Sequence, residues 1–432
     1  MQSYSDKVIV KKGLGLMRYA QIGICLLIFS SFSLSAQTNT FCQVNQKPTA
    51  NANDLACLLL NTDFPPFATG SDPIAGLDAG IASQASLFPL ASPASGIVYA
   101  NDPALGVPVA SGTDSFGPVM FERGETLHRG KMFVAFTYQN FQFSDMDGIG
   151  LKNIPAYFSV ANTSLPTYAE TNSRIDLKIN QFALYATYGL SNWIDVSVAV
   201  PILDVKLATT STCEQSATVG GGTGTCQFQL ANGTSTTTVA NSAAADGIGD
   251  IVFRVKGRLW EGEHLRLSAA VDVRVPTGDE LNFLGTGTTG VRPFVAASWR
   301  ARVAPHANLG FQWNGNSDIA SIDGPGTNGK LPNNIFYVAG ADARIVKRLT
   351  LSGEYLGQHI FSALREGIQV QPDTNLPGIY SYSGSFNSNF ATVGGKVNPA
   401  GNLLLTLNGF FKLDHNGLRN KPAPLVGISY TF

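Results

Sequence analysis

The sequence contains few charged residues and no excess of either sign. Asp, Glu, Lys and Arg make up 14% of its 432 residues, and the formal net charge is -1. Proteins that bind nucleic acids usually need a basic surface that displaces counterions from phosphate, and no run of Lys and Arg provides one here. With hydrophobic residues at 44%, the chain is too apolar to be disordered. We therefore expect no nucleic-acid partner, and a large apolar surface that is either buried or exposed to lipid.

Long hydrophobic runs are missing everywhere except near the N-terminus. There, basic residues precede an apolar stretch at 22–32 and small residues follow it up to Ala36, which is the order of a secretory signal peptide. We predict a signal peptide over residues 1–36, and Met17 would begin a shorter one of the same kind. Cys25 lies in the apolar stretch without the small residues that precede a lipidated cysteine, so we expect no lipoprotein anchor.

Beyond the leader, no stretch of about 18 consecutive apolar residues remains to form a transmembrane helix. Such a chain can span a membrane only as a closed β-barrel, because lipid offers no partner to unpaired backbone groups. From residue 130 onward, segments of roughly ten residues alternate apolar with polar side chains. In 265–275, for example, Arg266, Asp272 and Arg274 occupy even positions and aliphatic residues the odd ones. We predict an all-β fold, a transmembrane antiparallel β-barrel over residues 130–432.

This alternation predicts twelve strands, and the connections between them are alternately short and long. The predicted strands are 130–143, 173–188, 193–207, 248–260, 265–276, 291–302, 307–315, 333–346, 349–359, 386–397, 402–413 and 424–432. The short turns lie near Ser191, Gly262, Ala304, Lys347 and Pro399. The mostly longer loops begin near Ser144, Ala208, Thr277, Asn316, Ile360 and Asp414. In such barrels the short turns face the periplasm, so we expect both ends of the barrel there.

Aromatic side chains fall on the apolar faces near the strand ends, where an interfacial girdle belongs. They are Trp299, Trp313, Tyr337, Tyr355 and Tyr430. The last strand alternates from Pro424 down to the terminal Phe432. It resembles the C-terminal strand that the barrel-assembly machinery recognises in bacterial outer-membrane proteins. That resemblance implies an assembly signal at Tyr430 and Phe432, and the assembly machinery as a partner.

Only four cysteines follow the leader, as two closely spaced pairs in polar surroundings. They are Cys42 with Cys57 and Cys213 with Cys226. An exported chain passes through an oxidising compartment, so an even number of cysteines at short spacing predicts two local disulfides with these pairings. The second pair lies in 208–246, a stretch rich in Thr, Ser and Gly without Lys or Arg. We expect this stretch to form an extracellular loop.

The segment between leader and barrel, residues 37–129, is rich in Ala, Pro, Ser, Asp and Gly and shows weak periodicity. It is either a plug in the lumen or a periplasmic extension. A barrel of about twelve strands leaves a lumen too wide for side chains to fill, which favours a plug formed between about Ala82 and Phe121. The charged residues expected to meet the inward Arg254, Lys256 and Arg274 are Asp102, Asp114, Glu122 and Arg123.

Several short motifs resemble one outer-membrane family. They are Ser115-Phe116-Gly117-Pro118, Phe121-Glu122-Arg123, Tyr188-Gly189-Leu190-Ser191, Gly247-Ile248-Gly249-Asp250, Val275-Pro276-Thr277-Gly278-Asp279 and Leu284-Gly285-Thr286-Gly287. They resemble the outer-membrane barrel family labelled as a putative meta-pathway of phenol degradation. The resemblance spans roughly residue 115 to the C-terminus and consists of turn and strand-end pieces. It implies at most transport of hydrophobic or aromatic compounds, and it supplies no catalytic residues.

The charged residues predicted on the lumen face are the only group of side chains to which the sequence assigns a function. They are Arg254, Lys256, Arg258, Arg266, Asp272, Arg274, Arg300, Asp342, Arg344 and Glu354. They can line a pore and set its ion preference, as rings of charge do in other channels. Alternatively, they pair with one another and with the plug as a polar filling that fixes the barrel shape. The alternation of acids and bases on adjacent strands favours the second interpretation.

The sequence offers little to support catalysis. Its 5 histidines are scattered without metal-ligand spacing. A lipase would need a His and a Ser that meet at a strand end, and only His359 is so placed, between Gln358 and Ile360. We therefore predict no enzyme, no metal and no cofactor, but an outer-membrane channel or transporter for small organic, hydrophobic or aromatic solutes. Its partners would be outer-membrane lipid and the solute. The alternative is a structural or adhesive barrel that binds a partner through its long loops.

Overall fold

The computed structural model describes residues 54–56, 75–87, 99–101, 108–110, 115–120, 122–159, 165–229, 234–320 and 329–432. Most of these residues form one closed antiparallel barrel of 12 strands, which confirms the predicted fold class and strand count. The strands are β1 Met132–Met146, β2 Thr167–Gly189, β3 Ile194–Thr218, β4 in two segments Thr238–Ile248 and Ile251–Glu261, β5 Leu265–Val275, β6 Gly290–Trp299, β7 Val303–Asn314, β8 Asn334–Val346, β9 Leu349–Val370, β10 Pro377–Val397, β11 Leu403–Lys412 and β12 Ala423–Thr431.

The barrel closes between its last and first strands. β12 pairs with β1 in antiparallel register, from Leu425 opposite Gln139 to Thr431 opposite Phe133. The backbone N–H of the terminal Phe432 donates to the carbonyl oxygen of Met132 at 2.7 Å. The closed ladder leaves no strand edge in the membrane, where an unpaired backbone group would find no hydrogen-bonding partner.

The two faces of the wall differ as the alternation predicts. Along β12, Val426, Ile428 and Tyr430 are exposed on the outside, whereas Leu425 and Thr431 are buried on the inside. A continuous apolar outer surface of this kind is stable in lipid and not in water. The chain is therefore a protein of the bacterial outer membrane. The expected girdle residues that lie exposed on this surface are Trp299, Trp313, Tyr355 and Tyr430, and Tyr337 is half-buried.

One end of the barrel carries short turns and the other carries long connections. The short turns are 190–193, 262–264, 300–302, 347–348 and 398–402, as the strand bounds define them. By the usual arrangement of such barrels this short-turn end faces the periplasm, and the long-loop end faces outward. The expected turn near Ala304 lies slightly earlier in the chain, because β7 already begins at Val303.

Two regions expected as loops are largely strand. β3 continues to Thr218 and β4 begins at Thr238, so much of 208–246 extends the barrel wall. β9 likewise continues past Ile360 to Val370, where it pairs with β10. Beyond the lipid, a strand needs no apolar face, so the alternation that identified the membrane-spanning parts ends before the strands do. Thr-rich pairing sustains the ladder there.

The predicted disulfide joins Cys213, near the outer end of β3, to Cys226 in the connection between β3 and β4. Phe228–Gln229 folds back against Ser235–Thr236 as a short hairpin. Phe228 is buried against the disulfide. The signal peptide, Cys42, Cys57, Asp102 and Asp114 lie outside the described residues.

The described residues also include one α-helix, α1 Ala75–Ala85, and a 3-10 helix, Glu280–Asn282. Neither is long and apolar enough to cross a membrane. Gln84 of α1 donates from its side-chain amide to the carbonyl oxygen of Leu364 at 3.3 Å and accepts from the backbone N–H of Leu418 at 2.7 Å. Both partners lie at the long-loop end, so α1 does too. The remaining short strands are Tyr99–Asn101, Pro108–Ala110, Ile149–Gly150, Ile154–Ser159, Thr223–Gly224, Asn316–Ser317, Gly329–Lys330 and Leu418–Asn420.

Candidate functional site: the barrel lumen

Residues 115–120 and 122–128, here called the lumen segment, lie inside the barrel at its short-turn end. They carry no regular secondary structure, so their backbone groups need partners from elsewhere. Inward side chains of the wall supply many of them. The segment runs from the wall at β9 and β10 across to β3, and then enters β1.

At its start, the lumen segment is held by one acid and one base on neighbouring strands. The Glu354 carboxylate of β9 accepts the backbone N–H groups of Val119 at 2.7 Å and Met120 at 3.2 Å. Lys396 of β10 donates from Nζ to the carbonyl oxygens of Pro118 at 2.6 Å and Phe116 at 3.3 Å. Both side chains are buried. Charge-assisted hydrogen bonds of this kind are stronger than neutral ones, so this pair forms a clamp on the segment.

Glu122 connects the middle of the segment to two further strands. Its carboxylate forms ion pairs with Arg254 and with Lys256 of β4, the latter at 3.0 Å. Its backbone N–H donates to the side-chain oxygen of Asn308 at 3.0 Å, and its carbonyl oxygen accepts from the Asn308 amide at 2.9 Å. Glu122 is thus bound through its side chain to β4 and through its backbone to β7.

Arg123 and Leu127 complete the crossing. Arg123 donates to the carbonyl oxygen of Ser115 at 2.7 Å and lies 3.5 Å from the Asp342 carboxylate of β8. The other Asp342 oxygen is 3.3 Å from Nδ1 of His306. At the far side, the backbone N–H of Leu127 donates to Asp195 of β3 at 2.9 Å. The segment is therefore bound across the whole width of the barrel.

A second cluster of charges lies next to this crossing. Asp272 of β5 accepts from Nη2 of Arg254 at 2.8 Å and from Nη2 of Arg292 at 2.6 Å. The Arg254 guanidinium lies 5.0 Å from the ring centroid of Phe294, and that of Arg292 lies 5.1 Å from the ring of Phe336. Arg292 is the more exposed of the two arginines.

The predicted lumen residues divide into a central and a rim group. Those in the central clusters are Arg254, Lys256, Asp272, Asp342 and Glu354. At the short-turn rim, Arg258 and Arg266 pair with Glu261. Arg274 lies toward the long-loop end, 3.5 Å from Asp250. Arg300 and Arg344 lie at the short-turn end and are half-buried.

Sequence reasoning missed several members of the central group. They are Asp195, Arg292, His306 and Lys396. Arg292 has the same parity as the buried Phe294 of β6, so the alternation itself identifies it. With these residues the central charges balance. The cations are Arg123, Arg254, Lys256, Arg292 and Lys396, and the anions are Glu122, Asp195, Asp272, Asp342 and Glu354.

A cavity of about 20 Å³ lies between the lumen segment and the wall. Val119, Phe133, Tyr185 and Lys396 line it, together with residues of β1, β11 and β12. That volume holds about one water molecule. The cavity is too small to hold an organic solute.

Metal chemistry has no support in the described residues, where no group of three or more His, Cys, Asp or Glu side chains is arranged to hold an ion. His359 lies on the outer surface with Nδ1 2.7 Å from the Asn387 side-chain oxygen. Its ring packs edge-on against Phe361.

A closed twelve-stranded barrel with an apolar outer surface and an occupied lumen defines an outer-membrane β-barrel protein. The family model described as "Putative MetA-pathway of phenol degradation" matches residues 160–403. The match covers more than half of the chain, and the chain belongs to this family. The expected family is thus confirmed. No curated protein matches the chain.

Several solved structures are similar to the chain. An outer-membrane channel from Pseudomonas putida F1 is 13% identical, with a TM-score of 0.41, and the similarity covers 71% of this chain and 97% of that one. The P. putida toluene transporter TodX is 10% identical, with a TM-score of 0.31, and the similarity covers 70% of this chain and 89% of that one. A Pseudomonas aeruginosa FadL homologue is 10% identical, with a TM-score of 0.29, and the similarity covers 85% of this chain and 99% of that one.

Proposed function

We propose that this protein is an outer-membrane channel for small organic solutes, hydrophobic or aromatic ones in particular, and that the lumen segment plugs it. The observation that carries the proposal is the set of hydrogen bonds between the backbone of the segment and inward side chains of the wall. An eight-stranded barrel is filled by its own side chains, whereas a barrel of about sixteen strands holds an aqueous channel. The lumen of a twelve-stranded barrel would stay partly open, and in this protein the lumen segment occupies it.

The proposal extends to residues 37–129 as a domain. Two described parts of this range lie at opposite ends of the barrel: α1 at the long-loop end and the lumen segment at the short-turn end. Asp54 accepts from the Asn282 side chain at 3.2 Å, in the 3-10 helix after β5. These contacts support a plug rather than a periplasmic extension, because a free extension would make no buried bonds to the wall.

The central charges act as the polar filling that holds the plug. Their balance supports this role, since a lumen whose cations and anions neutralise one another exerts little selection on permeating ions. Selectivity among solutes would then depend on the part of the lumen next to Arg292, Phe294 and Phe336. The family description supports an aromatic solute, and a guanidinium flanked by aromatic rings is compatible with one.

Removal of the plug tests the proposal. A variant that lacks residues 40–127 but keeps the leader would be reconstituted in liposomes, and swelling would be followed with solutes of graded size, including phenol. We expect faster swelling than with the wild-type protein and a higher size limit. Unchanged swelling by a correctly folded variant would exclude the plug. The folded state is checked by the heat-dependent gel mobility of the barrel.

A second candidate, a structural or adhesive barrel, is favoured by one observation. β2, β3, β9 and β10 each run well beyond the roughly 9–11 residues that a membrane requires, and they extend the wall outward. Swelling that stays at the level of empty liposomes for both wild type and deletion variant would support this candidate. For catalysis, a lipase assay with a His359→Ala control is the corresponding test, and we expect no activity in either protein.

A further inference from the structure

On the outer wall of β1, β2 and β3, the apolar surface ends at one level. The last large apolar side chains before the first polar row toward the long-loop end are Tyr138, Phe182 and Ile202, which lie next to one another in register. The ring centroids of Tyr138 and Phe182 are 4.9 Å apart. Aromatic side chains concentrate where hydrocarbon meets the polar headgroups, so this row marks the outer edge of the membrane core.

The next outward-facing row is polar and internally hydrogen-bonded. It consists of Asn140, Asn180 and Asp204, again in register. Asn180 accepts from the Tyr138 hydroxyl at 3.0 Å and from Asn140 at 2.7 Å, and it donates to Asp204 at 2.9 Å. Asp246 of β4 lies opposite Asp204 and extends the row.

One pleat further out, three exposed lysines form a row. Lys178 lies directly opposite Lys206, and Gln142 lies opposite Lys178 on the other side. The backbone N–H of Lys421 donates to the Gln142 carbonyl oxygen at 2.8 Å, which places Lys421 at the end of this row. Nζ of Lys206 is 3.1 Å from Asp204. Within the part of the chain that the structure describes, Lys178 and Lys421 form no ion pair.

This lysine row, Lys178, Lys206 and Lys421, is unfavourable for the isolated protein. Like charges directly opposite each other on adjacent strands repel, and such pairs destabilise a sheet. Asp204 neutralises only one of the three lysines. An anion shared between the lysines would remove the repulsion. Such an anion would lie a short distance outward from the edge of the hydrocarbon core.

We propose that the lysine row binds the phosphate groups of an anionic glycolipid in the outer leaflet. The order of the rows fits such a lipid: acyl chains against the apolar band, the sugar headgroup beside the amides, and the phosphates beside the lysines. Adjacent strands are about 4.8 Å apart, so the row from Lys421 to Lys206 spans about 15 Å. That span accommodates the two phosphates of a bisphosphorylated disaccharide. The proposal depends on the membrane location and not on the channel function.

Lipid binding by purified, folded protein in non-ionic detergent tests the proposal. Bisphosphorylated lipid A, phosphatidylcholine and inorganic phosphate would each be added, and retained lipid would be measured by native mass spectrometry. The variant K178A/K206A is compared with K152A/K330A, which removes the same charge from exposed positions at the same end of the barrel. K178R/K206R keeps the charge. Heat-dependent gel mobility confirms that each barrel is folded.

We expect the wild type, K152A/K330A and K178R/K206R to retain lipid A. Each lysine near an anionic lipid surface contributes about a fivefold gain in affinity, so K178A/K206A should bind roughly thirtyfold more weakly. Equal binding by K178A/K206A and the wild type would overturn the proposal, as would loss of binding in K178R/K206R. Retention of phosphatidylcholine at the level of lipid A would overturn it too. If inorganic phosphate binds as tightly as lipid A, the site recognises a free anion and the lipid assignment is wrong.

Discussion

Glu122 of the lumen segment and Lys256 of β4 form an ion pair of 3.0 Å inside the barrel, although they are 134 residues apart in the sequence. Both side chains are buried. The pair joins a segment without secondary structure to a rigid strand. It shows the general construction of this lumen, in which wall residues bind the segment and the segment neutralises the wall.

Replacing Glu122 by Gln should release the lumen segment while the barrel remains folded. Removal of one partner leaves buried cations uncompensated, which costs about 3–5 kcal/mol. Backbone amides of Val119 and Met120 should then exchange with deuterium about a hundredfold faster or more. Exposed Glu263 lies in a short turn, and Glu263→Gln is the matched control that should leave exchange unchanged. Equal exchange in both variants would show that the pair does not hold the segment.

The disulfide between Cys213 and Cys226 should stabilise the outer hairpin rather than the barrel. For a loop with a sequence separation of 13, the chain-entropy model gives about 3 kcal/mol. In C213A/C226A, Phe228 should therefore become accessible and chymotrypsin should cut there far faster, while the thermal midpoint of the barrel changes little. Free thiols at these positions in the unreduced wild type would contradict this account.

Glu366 should make the outer β9–β10 hairpin sensitive to pH. It lies beyond the β-bulge near Ile360, past the part of β9 that crosses the membrane. Its pKa is raised from 4.5 to about 8, mainly because the carboxyl group is buried; a hydrogen bond from Ser381 lowers the pKa and the nearby Asp147 raises it. The folded protein thus holds this proton more tightly than the unfolded chain. The resulting stability is complete below about pH 4.5 and is lost as the pH rises through 8.

The measurement is thermal unfolding of wild type and Glu366→Gln between pH 5 and pH 9. We expect the midpoint of the wild type to fall more across this range than that of the variant, which has no proton to lose. Parallel curves for the two proteins would show that Glu366 does not carry the effect.

Deletion of Phe432 should impair assembly in cells far more than folding in detergent. The ring of Phe432 packs on Tyr430 with centroids 4.6 Å apart on the outer surface, so it contributes little to the interior. Its role as an assembly signal would depend on this exposure. Phe432→Tyr, which keeps the ring, is the control. The check is the amount of folded barrel in the outer membrane compared with the refolding yield of purified protein. An equal loss of folded barrel in the outer membrane and of refolding yield in detergent would contradict the prediction.

The parts of the fold that were predictable are those that lipid constrains. The odd positions of 265–275 must be apolar and the even ones polar, and this requirement gave β5 almost to the residue. Beyond the lipid no such requirement acts, so Thr209 to Thr218 of β3 looked like a loop. The clamp on the lumen segment could not be found from sequence. Glu354 binds backbone N–H groups of Val119 and Met120, and such bonds place no constraint on the side chains of the residues bound.

Single-channel conductance in planar bilayers tests the central claim, that the lumen segment closes the barrel, most directly. The variant E354Q/K396M removes both side chains of the clamp and leaves the sequence of the plug intact. The control E263Q/K347M removes the same charges from exposed short turns. We predict a larger open-channel conductance for E354Q/K396M than for the wild type, and no change for the control. If hydrogen exchange shows that the segment is released in E354Q/K396M while its conductance equals that of the wild type, the lumen segment is not the plug.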